Sequence, residues 1–298
     1  YKLLLTMNKW LNLIRINNWL KNLFVIAPLV FSLKIYDLTS IYNSFFAFIS
    51  FCFLSSSLYI INDIIDIEKD REHPRKCNRP LTKGIISIKA GLFVALIFFI
   101  TSIIISLYIN TNFIIIILFY ITNTLLYSIW LKNINILELI LVSLNFVIRI
   151  IRGCVSISVV PSHWIIIITF FIALFLTLIK RKSEIKTIPN SYIVHRNVLK
   201  NYTIPILDKY IYISATIVVF GYILYSIDNH VITTFNTHNL IYTSIFVVIG
   251  IFRFIQLSEI NTYNDEGDPT TLIIYDKFLQ ITILMWLLSI FAIIYLNI

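Results

Sequence analysis

The chain has 298 residues, of which 58% are hydrophobic and only 13% charged, with a formal net charge of +9 and a mean hydropathy of +0.86. A water-soluble domain of this length cannot cover so much apolar surface, so the composition excludes a soluble fold and makes the bilayer the solvent for most of the chain. Cys52, Cys77 and Cys154 are too few and too scattered for a disulfide framework or a zinc site, and read as structural filler.

The first stretch, YKLLLTMNKWLNLIRINNWLKN, mixes charge into its apolar residues and offers no small-residue cleavage site, which argues against a secretory signal. Residues 1–21 read as an amphipathic segment on the membrane surface, with Trp10 and Trp19 at headgroup level. Residues 22–298 read as a single transmembrane domain.

A helix needs about 20 apolar residues to cross the hydrocarbon. Nine windows qualify: 22–36, 41–62, 88–109, 113–131, 135–155, 163–180, 210–227, 240–257 and 273–297. The first is short and carries Pro28, which predicts a kink. Three charged connections, 63–87, 181–209 and 258–272, separate them. A cytoplasmic N-terminus, marked by Lys2, Lys9, Arg15 and Lys21, puts Lys69 to Lys83, Lys132, Lys180 to Lys200 and the segment NTYNDEGDPT on the cytoplasmic side. The opposite links, such as NTN and SIDNHVITTFNTHN, hold no Lys or Arg. Positive-inside asymmetry thus predicts an all-α membrane protein of nine helices, N-terminus inside and C-terminus outside. Gly and Pro are scarce inside the windows, so the broken half-helices of many transporters are not expected. With all three polar connections on one side, a chemical site open to the cytoplasm suits the chain better than alternating access.

The stretch NDIIDIEKDREHPRKCNRPLTKG, Asn62 to Gly84, is where charge outweighs grease. At about 100° per residue on one helix, Asn62, Asp63, Asp66 and Asp70 fall within about 100° of arc and Glu68 points away. Converged carboxylates repel and call for a cation. Magnesium fits, because it takes oxygen ligands and shares them between one or two carboxylates and substrate phosphates. An ordinary solvated helix end is the plainer alternative, though it has no reason to leave Glu68 out. The following Arg71, Arg75, Lys76, Arg79 and Lys83 stand in a loop that Pro74 and Pro80 keep from helix. An acidic metal-binding face followed by a basic loop suits a diphosphate substrate; a purely topogenic role for these cations is the alternative. Nucleic acid is a poor partner, since the cations are loop-bound beside a membrane and lack interleaved aromatics.

NDIIDIEKD followed by NRPLTKG resembles the first aspartate-rich motif of the UbiA superfamily of intramembrane prenyltransferases, and the nine-helix topology matches that fold. The resemblance implies Mg²⁺ held on the donor's diphosphate by Asn62, Asp63, Asp66 and Asp70, with the three aspartates catalytic. Most members carry a second aspartate-rich motif after the sixth helix. Here that place reads LIKRKSEIK, with Lys180, Arg181 and Glu184 instead of the aspartates.

Four stretches, NNWLKNLFVIAPLVFS, HPRKCNRPL, FFIALFLTLIKRKSE and IFRF followed by GDPTTLIIYDK, are similar to the branch that transfers phosphoribose from phosphoribosyl diphosphate to a polyprenyl phosphate. This similarity runs from Arg15 to Lys277 and implies a bacterial cytoplasmic membrane and a role in cell-wall synthesis. A homo-oligomer is compatible with it. Phosphoribosyl diphosphate carries two phosphate clusters, which Lys21, Arg75, Lys76, Arg79, Lys132, Lys180, Arg181 and Arg253 at the cytoplasmic ends are placed to surround. Its acceptor is already an anion, so no general base is needed, and His73 reads as a loop or phosphate contact. Arg149 and Arg152, inside the fifth window, are costly at that depth and read as contacts to lipid or ribose phosphate, with interfacial snorkelling as the alternative. Glu138 reads as an orienter of a nearby cation, Lys180 and Glu184 equally as an intrahelical pair, and Tyr59, Tyr127 and Tyr225 as packing. Two other functions share much of the pattern: an aromatic prenyltransferase acting on an acceptor such as 4-hydroxybenzoate, and a lipid-phosphate transporter.

Overall fold

Long runs of Ile, Leu and Phe satisfy their own backbone as helices, which hydrocarbon demands of any segment crossing it. A computed structural model of the chain describes residues 9–72, 76–110, 113–187, 199, 201–260 and 269–296, and none of these is in a strand. They group into two compact units: Tyr1–Lys132 with Ile148–Pro161, and Asn133–Val147 with Ser162–Ile298. The protein is an all-helical integral membrane protein. Seven described helices are long and apolar enough to cross a bilayer, and two shorter apolar stretches, Ile16–Phe31 and Phe113–Ile129, accompany them.

The described part of the first unit opens with a short helical stretch, residues 9–14, followed by a 3-10 helix, Ile16–Val25, and α1, Ala27–Phe31. The kink expected at Pro28 is a break just before it, because Pro28 stands in the first turn of α1, where its missing N–H is not needed. Next come α2, Leu38–Ile65, α3, Ile67–Glu72, α4, Ile88–Ile109, and α5, Phe113–Ile129. The carboxylate of Asp37 caps α2 by accepting the Thr39 N–H (3.1 Å) and Ser40 N–H (3.3 Å). Hydroxyls fasten α2 to α4: Ser50 donates to the Ser102 carbonyl at 2.9 Å and Ser57 to the Ala95 carbonyl at 2.8 Å. Val25, Phe51, Leu54, Phe113 and Ile117 fill the core. The second half of α6, Leu137–Ser156, completes this unit. Gly153 lets it approach the 3-10 helix, since a Cβ there would lie 2.1 Å from the Val25 carbonyl oxygen.

The second unit takes the first half of α6 and then α7, His163–Thr187, α8, Ile204–Ile227, α9, Asn229–Phe235, α10, Ser244–Ile260, α11, Pro269–Tyr275, and α12, Lys277–Tyr295. Phe175, Leu178, Leu207, Ile211 and Phe254 form its core. The single helix expected over 273–297 is broken at Asp276, which is extended (φ −86°, ψ 104°). Its carboxylate accepts the Leu279 N–H at 2.7 Å and the Arg253 guanidinium at 2.6 and 3.2 Å, so one buried acid both starts α12 and anchors α10. The Arg253 hydrogen bond holds the Asp276 carboxyl below the usual carboxylate range. A depressed pKa stabilises the fold above the unfolded value and loses that stabilisation as pH falls through the folded one. Asp276→Asn is therefore expected to destabilise the detergent-solubilised protein by about 1–2 kcal/mol at pH 7. The gap from wild type should close on acidification, as read by thermal unfolding across pH.

Candidate active site

Where α2 ends, Asp66 leaves helical geometry (φ −93°, ψ 7°) while its N–H still reaches the Asn62 carbonyl at 3.0 Å. The chain resumes as α3, with the Asp70 N–H on the Asp66 carbonyl at 2.8 Å. The uninterrupted helical face expected from Asn62 to Asp70 is thus corrected to a face broken at one aspartate, a residue type that competes with helical backbone. Burial still follows the predicted side: Asp63 and Asp70 are 3% and 4% exposed, and Asn62 and Asp66 are half-buried. Glu68 is exposed and pairs with Arg71 at 3.1 Å.

The four side chains are engaged in two hydrogen-bonded groups. Arg79 Nη1 donates both to Asp63 Oδ1, at 2.9 Å, and to Asp70 Oδ2, and Asp63 Oδ1 also accepts from Arg15 Nη2. Asp66 takes Lys132 Nζ at 3.2 and 3.3 Å and the Asn62 amide at 3.3 Å. Among the described residues no three His, Cys, Asp or Glu gather as a preformed metal site. The chain's own cations relieve the repulsion that was expected to require a metal. Even so, two buried carboxylates meeting at one cationic nitrogen form a hard-oxygen donor pair, and such a pair fits magnesium, which takes one or two carboxylates and completes its shell with phosphate and water.

Local backbone chemistry sets these cations in place. Arg79 begins the turn of RPLTKG, where the Lys83 N–H returns to the Arg79 carbonyl at 2.9 Å and Gly84 adopts φ 68°, a conformation glycine takes without cost. Burial, with Arg15 close by, lowers the pKa of Arg79, while Asp63 and Asp70 support its charge. Arg15 is left-handed (φ 53°) at the start of the 3-10 helix, its guanidinium 5.0 Å over the Tyr59 ring. The Trp19 indole donates to Ser56 Oγ at 3.0 Å, and Ser56 Oγ to the Ile14 carbonyl at 2.7 Å, tying this segment to α2. Arg15 was legible in sequence only as a topogenic charge.

Lys21 and Lys76 are half-buried, on the 3-10 helices Ile16–Val25 and Lys76–Asn78. Arg75, His73, Lys2, Lys200 and residues 261–268 lie outside the described residues. Arg149 and Arg152 are interior groups 3% and 0% exposed, and neither snorkels. Arg149 donates to Asn22 Oδ1 at 2.9 Å and lies over the rings of Phe51 and Tyr120. Arg152 donates to Ser50 and Ser106 at 2.6 and 2.9 Å, with the Phe113 ring 4.2 Å from its guanidinium carbon.

In the second unit Arg181 makes a two-pronged contact with Glu138, both bonds 2.8 Å, and reaches Glu184 at 2.7 Å. Glu138 does orient a cation, and Glu184 is an i, i+3 partner of Arg181. Lys180 is half-buried. A network the sequence did not signal joins three helices: Lys182, 2% exposed, pairs with Asp208 and Glu259, and Lys186 meets Glu259 at 2.8 Å. Ile136, a β-branched residue at φ 64°, is held by the Tyr202 hydroxyl, which accepts its N–H at 2.8 Å.

The chain belongs to the UbiA prenyltransferase family, which matches residues 23–278, and it is a membrane-embedded transferase. It is 30% identical over 289 residues to the decaprenyl-phosphate phosphoribosyltransferase of Mycolicibacterium smegmatis, covering 95% of this chain and 91% of that one. The protein of the same name from Mycobacterium tuberculosis is 28% identical over 285 residues, with 94% and 92% covered. In fold the chain is similar to a UbiA homolog from Archaeoglobus fulgidus solved bound to GPP and Mg²⁺, with a TM-score of 0.71, 18% identity, and 96% of this chain and 99% of that one covered.

Two substitutions separate the buried acids from the exposed one. Asp63→Asn is expected to abolish transferase turnover in protein that still folds, whereas Glu68→Gln should stay within about twofold of wild type, as surface changes do. Turnover assays on both variants, with helix content checked by circular dichroism, decide it.

Proposed function

We propose that the protein transfers phosphoribose from 5-phosphoribosyl 1-diphosphate to a polyprenyl phosphate in the bacterial cytoplasmic membrane, releasing diphosphate. The observation that carries this is the clustering of Asp63, Asp66 and Asp70 with Arg15, Arg79 and Lys132, a set that supplies both metal-ligand oxygens and phosphate-binding cations. Likeness to phosphoribosyltransferases over most of the chain supports the choice of donor. So does the second charged stretch, where Lys180 and Arg181 stand in place of aspartates. Lys180, a cation where an aspartate is expected, repels a second metal and attracts a phosphate that has none.

Asn62, Asp63, Asp66 and Asp70 would hold Mg²⁺, which when bound neutralises charge developing on the leaving diphosphate. Arg79, Arg15 and Lys132 take up diphosphate oxygens through charge-assisted hydrogen bonds. The bond from the anomeric carbon to diphosphate breaks, its electron pair leaving with the diphosphate oxygen, and oxocarbenium character builds at that carbon. An oxygen of the polyprenyl phosphate then forms the new bond. The acceptor is ionised at neutral pH, so its attack requires no proton removal. Lys21, Arg75 and Lys76 are further phosphate contacts. Arg181, held between Glu138 and Glu184, fixes the end of α7, and Arg253 is engaged by Asp276 in the same way. Arg149 and Arg152, enclosed in the first unit, serve its packing.

The test offers purified protein two substrate pairs in parallel with Mg²⁺. Labelled phosphoribosyl diphosphate with polyprenyl phosphate should yield lipid-linked phosphoribose, and diphosphate should appear only when the lipid is present. A prenylated aromatic product from polyprenyl diphosphate and 4-hydroxybenzoate, with no lipid-linked phosphoribose, would overturn the proposal. Lipid movement across vesicles without diphosphate release would point to a transporter.

A further inference from the structure

Each carboxylate of the acidic cluster is met by a cation of the chain itself. Asp63 pairs with Arg15 and Arg79, Asp70 with Arg79, and Asp66 with Lys132. The two sets differ in depth. The side chains of Asp63 and Asp70 are 5% exposed and that of Asp66 16%, whereas Arg15, Arg79 and Lys132 are 21%, 25% and 20% exposed. Asp63 and Asp70 form the floor of the cluster, with Arg15 and Arg79 as its outer layer.

Arg79 has the central place in that layer, because a single nitrogen bridges Asp63 and Asp70. For a divalent cation to reach those oxygens, Arg79 must give up both. If the cation came alone, the displaced guanidinium would stay beside it, and two positive charges would be added with nothing to offset them in surroundings only partly open to water. If the cation came with a diphosphate, Arg79 would exchange carboxylate oxygens for phosphate oxygens, and the added negative charge would offset the added positive charge.

We propose that Arg79 is the resident counter-ion of Asp63 and Asp70, so that the cluster rejects bare metal and accepts metal only together with a diphosphate. Binding is then coupled: each of the two ligands raises the affinity for the other, by reciprocal linkage. The proposal rests on the function above only in requiring a diphosphate donor, and it is indifferent to whether that donor carries phosphoribose. A purely structural ion pair would behave differently, since its loss would weaken folding without opening the acids to metal.

The experiment uses the full chain in detergent with two probes. Mn²⁺ alone is titrated and read by the loss of the free-ion electron paramagnetic resonance signal. Radiolabelled inorganic pyrophosphate is titrated separately, with and without Mg²⁺. Wild type should bind Mn²⁺ weakly and retain pyrophosphate only with Mg²⁺. Arg79→Gln should invert the preference, binding Mn²⁺ alone about tenfold tighter and pyrophosphate with Mg²⁺ about tenfold weaker, the scale of one charge-assisted bond. Should that variant fail to fold, Lys132→Gln, which frees Asp66, should tighten Mn²⁺ binding in the same direction.

Stoichiometric binding of Mn²⁺ by wild type without pyrophosphate would overturn the proposal. So would a folded Arg79→Gln protein with unchanged Mn²⁺ affinity. Coupled binding in a protein that never transfers phosphoribose would leave this proposal standing and remove the functional one; transfer activity with metal binding independent of pyrophosphate would do the reverse.

Discussion

Two carboxylates held at the end of a membrane helix, with one guanidinium nitrogen between them, are the constraint on which the candidate site depends. Asp63 and Asp70 are nearly enclosed, and a buried carboxylate without a partner is a severe cost. Arg79 answers both at once, and Arg15 adds a second cation to Asp63. Each of those cations needs a special piece of backbone. The Arg79 turn closes through left-handed Gly84, and Arg15 itself is left-handed at the mouth of a 3-10 helix tied to α2 by Trp19 and Ser56. The one-residue break at Asp66 belongs to the same arrangement, since it turns that carboxylate toward Lys132 and leaves Asp63 and Asp70 to Arg79.

The second unit solves the same problem with different partners. Arg181 between Glu138 and Glu184, Lys182 between Asp208 and Glu259, and Arg253 on Asp276 are cations each matched by carboxylates. Arg152 in the first unit contrasts with them. It meets two serine hydroxyls and two aromatic faces, and its Nε and Nη1 have no hydrogen-bond partner among the described residues. Aromatic faces offer partial compensation for a buried cation.

How much of this was legible in the sequence follows from which interactions are local. Hydrophobic run length located the membrane helices, because the bilayer imposes it on every span separately. The sidedness of Asp63, Asp70 and Glu68 was also legible, since helical geometry over a few residues survives a single break. The breaks themselves were not. Asp66 and Asp276 look like ordinary helix residues until Lys132, 66 positions away, and Arg253, 23 positions away, are brought to them. Likewise nothing local marks Asn22 as the partner of Arg149 or Lys182 as the partner of Glu259, because each pair joins distant segments. The depth of Arg149 and Arg152 was read correctly as costly, yet the groups that meet them are serines, an asparagine and aromatic rings, which carry no signal of their own.

The central claim is that the acids are held by the chain's own cations before any ligand arrives, and a double-mutant cycle measures it directly. Thermal unfolding of wild type, Asp63→Asn, Arg79→Gln and the double variant, all without metal or phosphate, gives the coupling between the two side chains. A coupling of about 1.5–3 kcal/mol is predicted, the range for hydrogen bonds to charged groups. Additivity to within about 0.5 kcal/mol would contradict it, because groups that do not interact change stability independently.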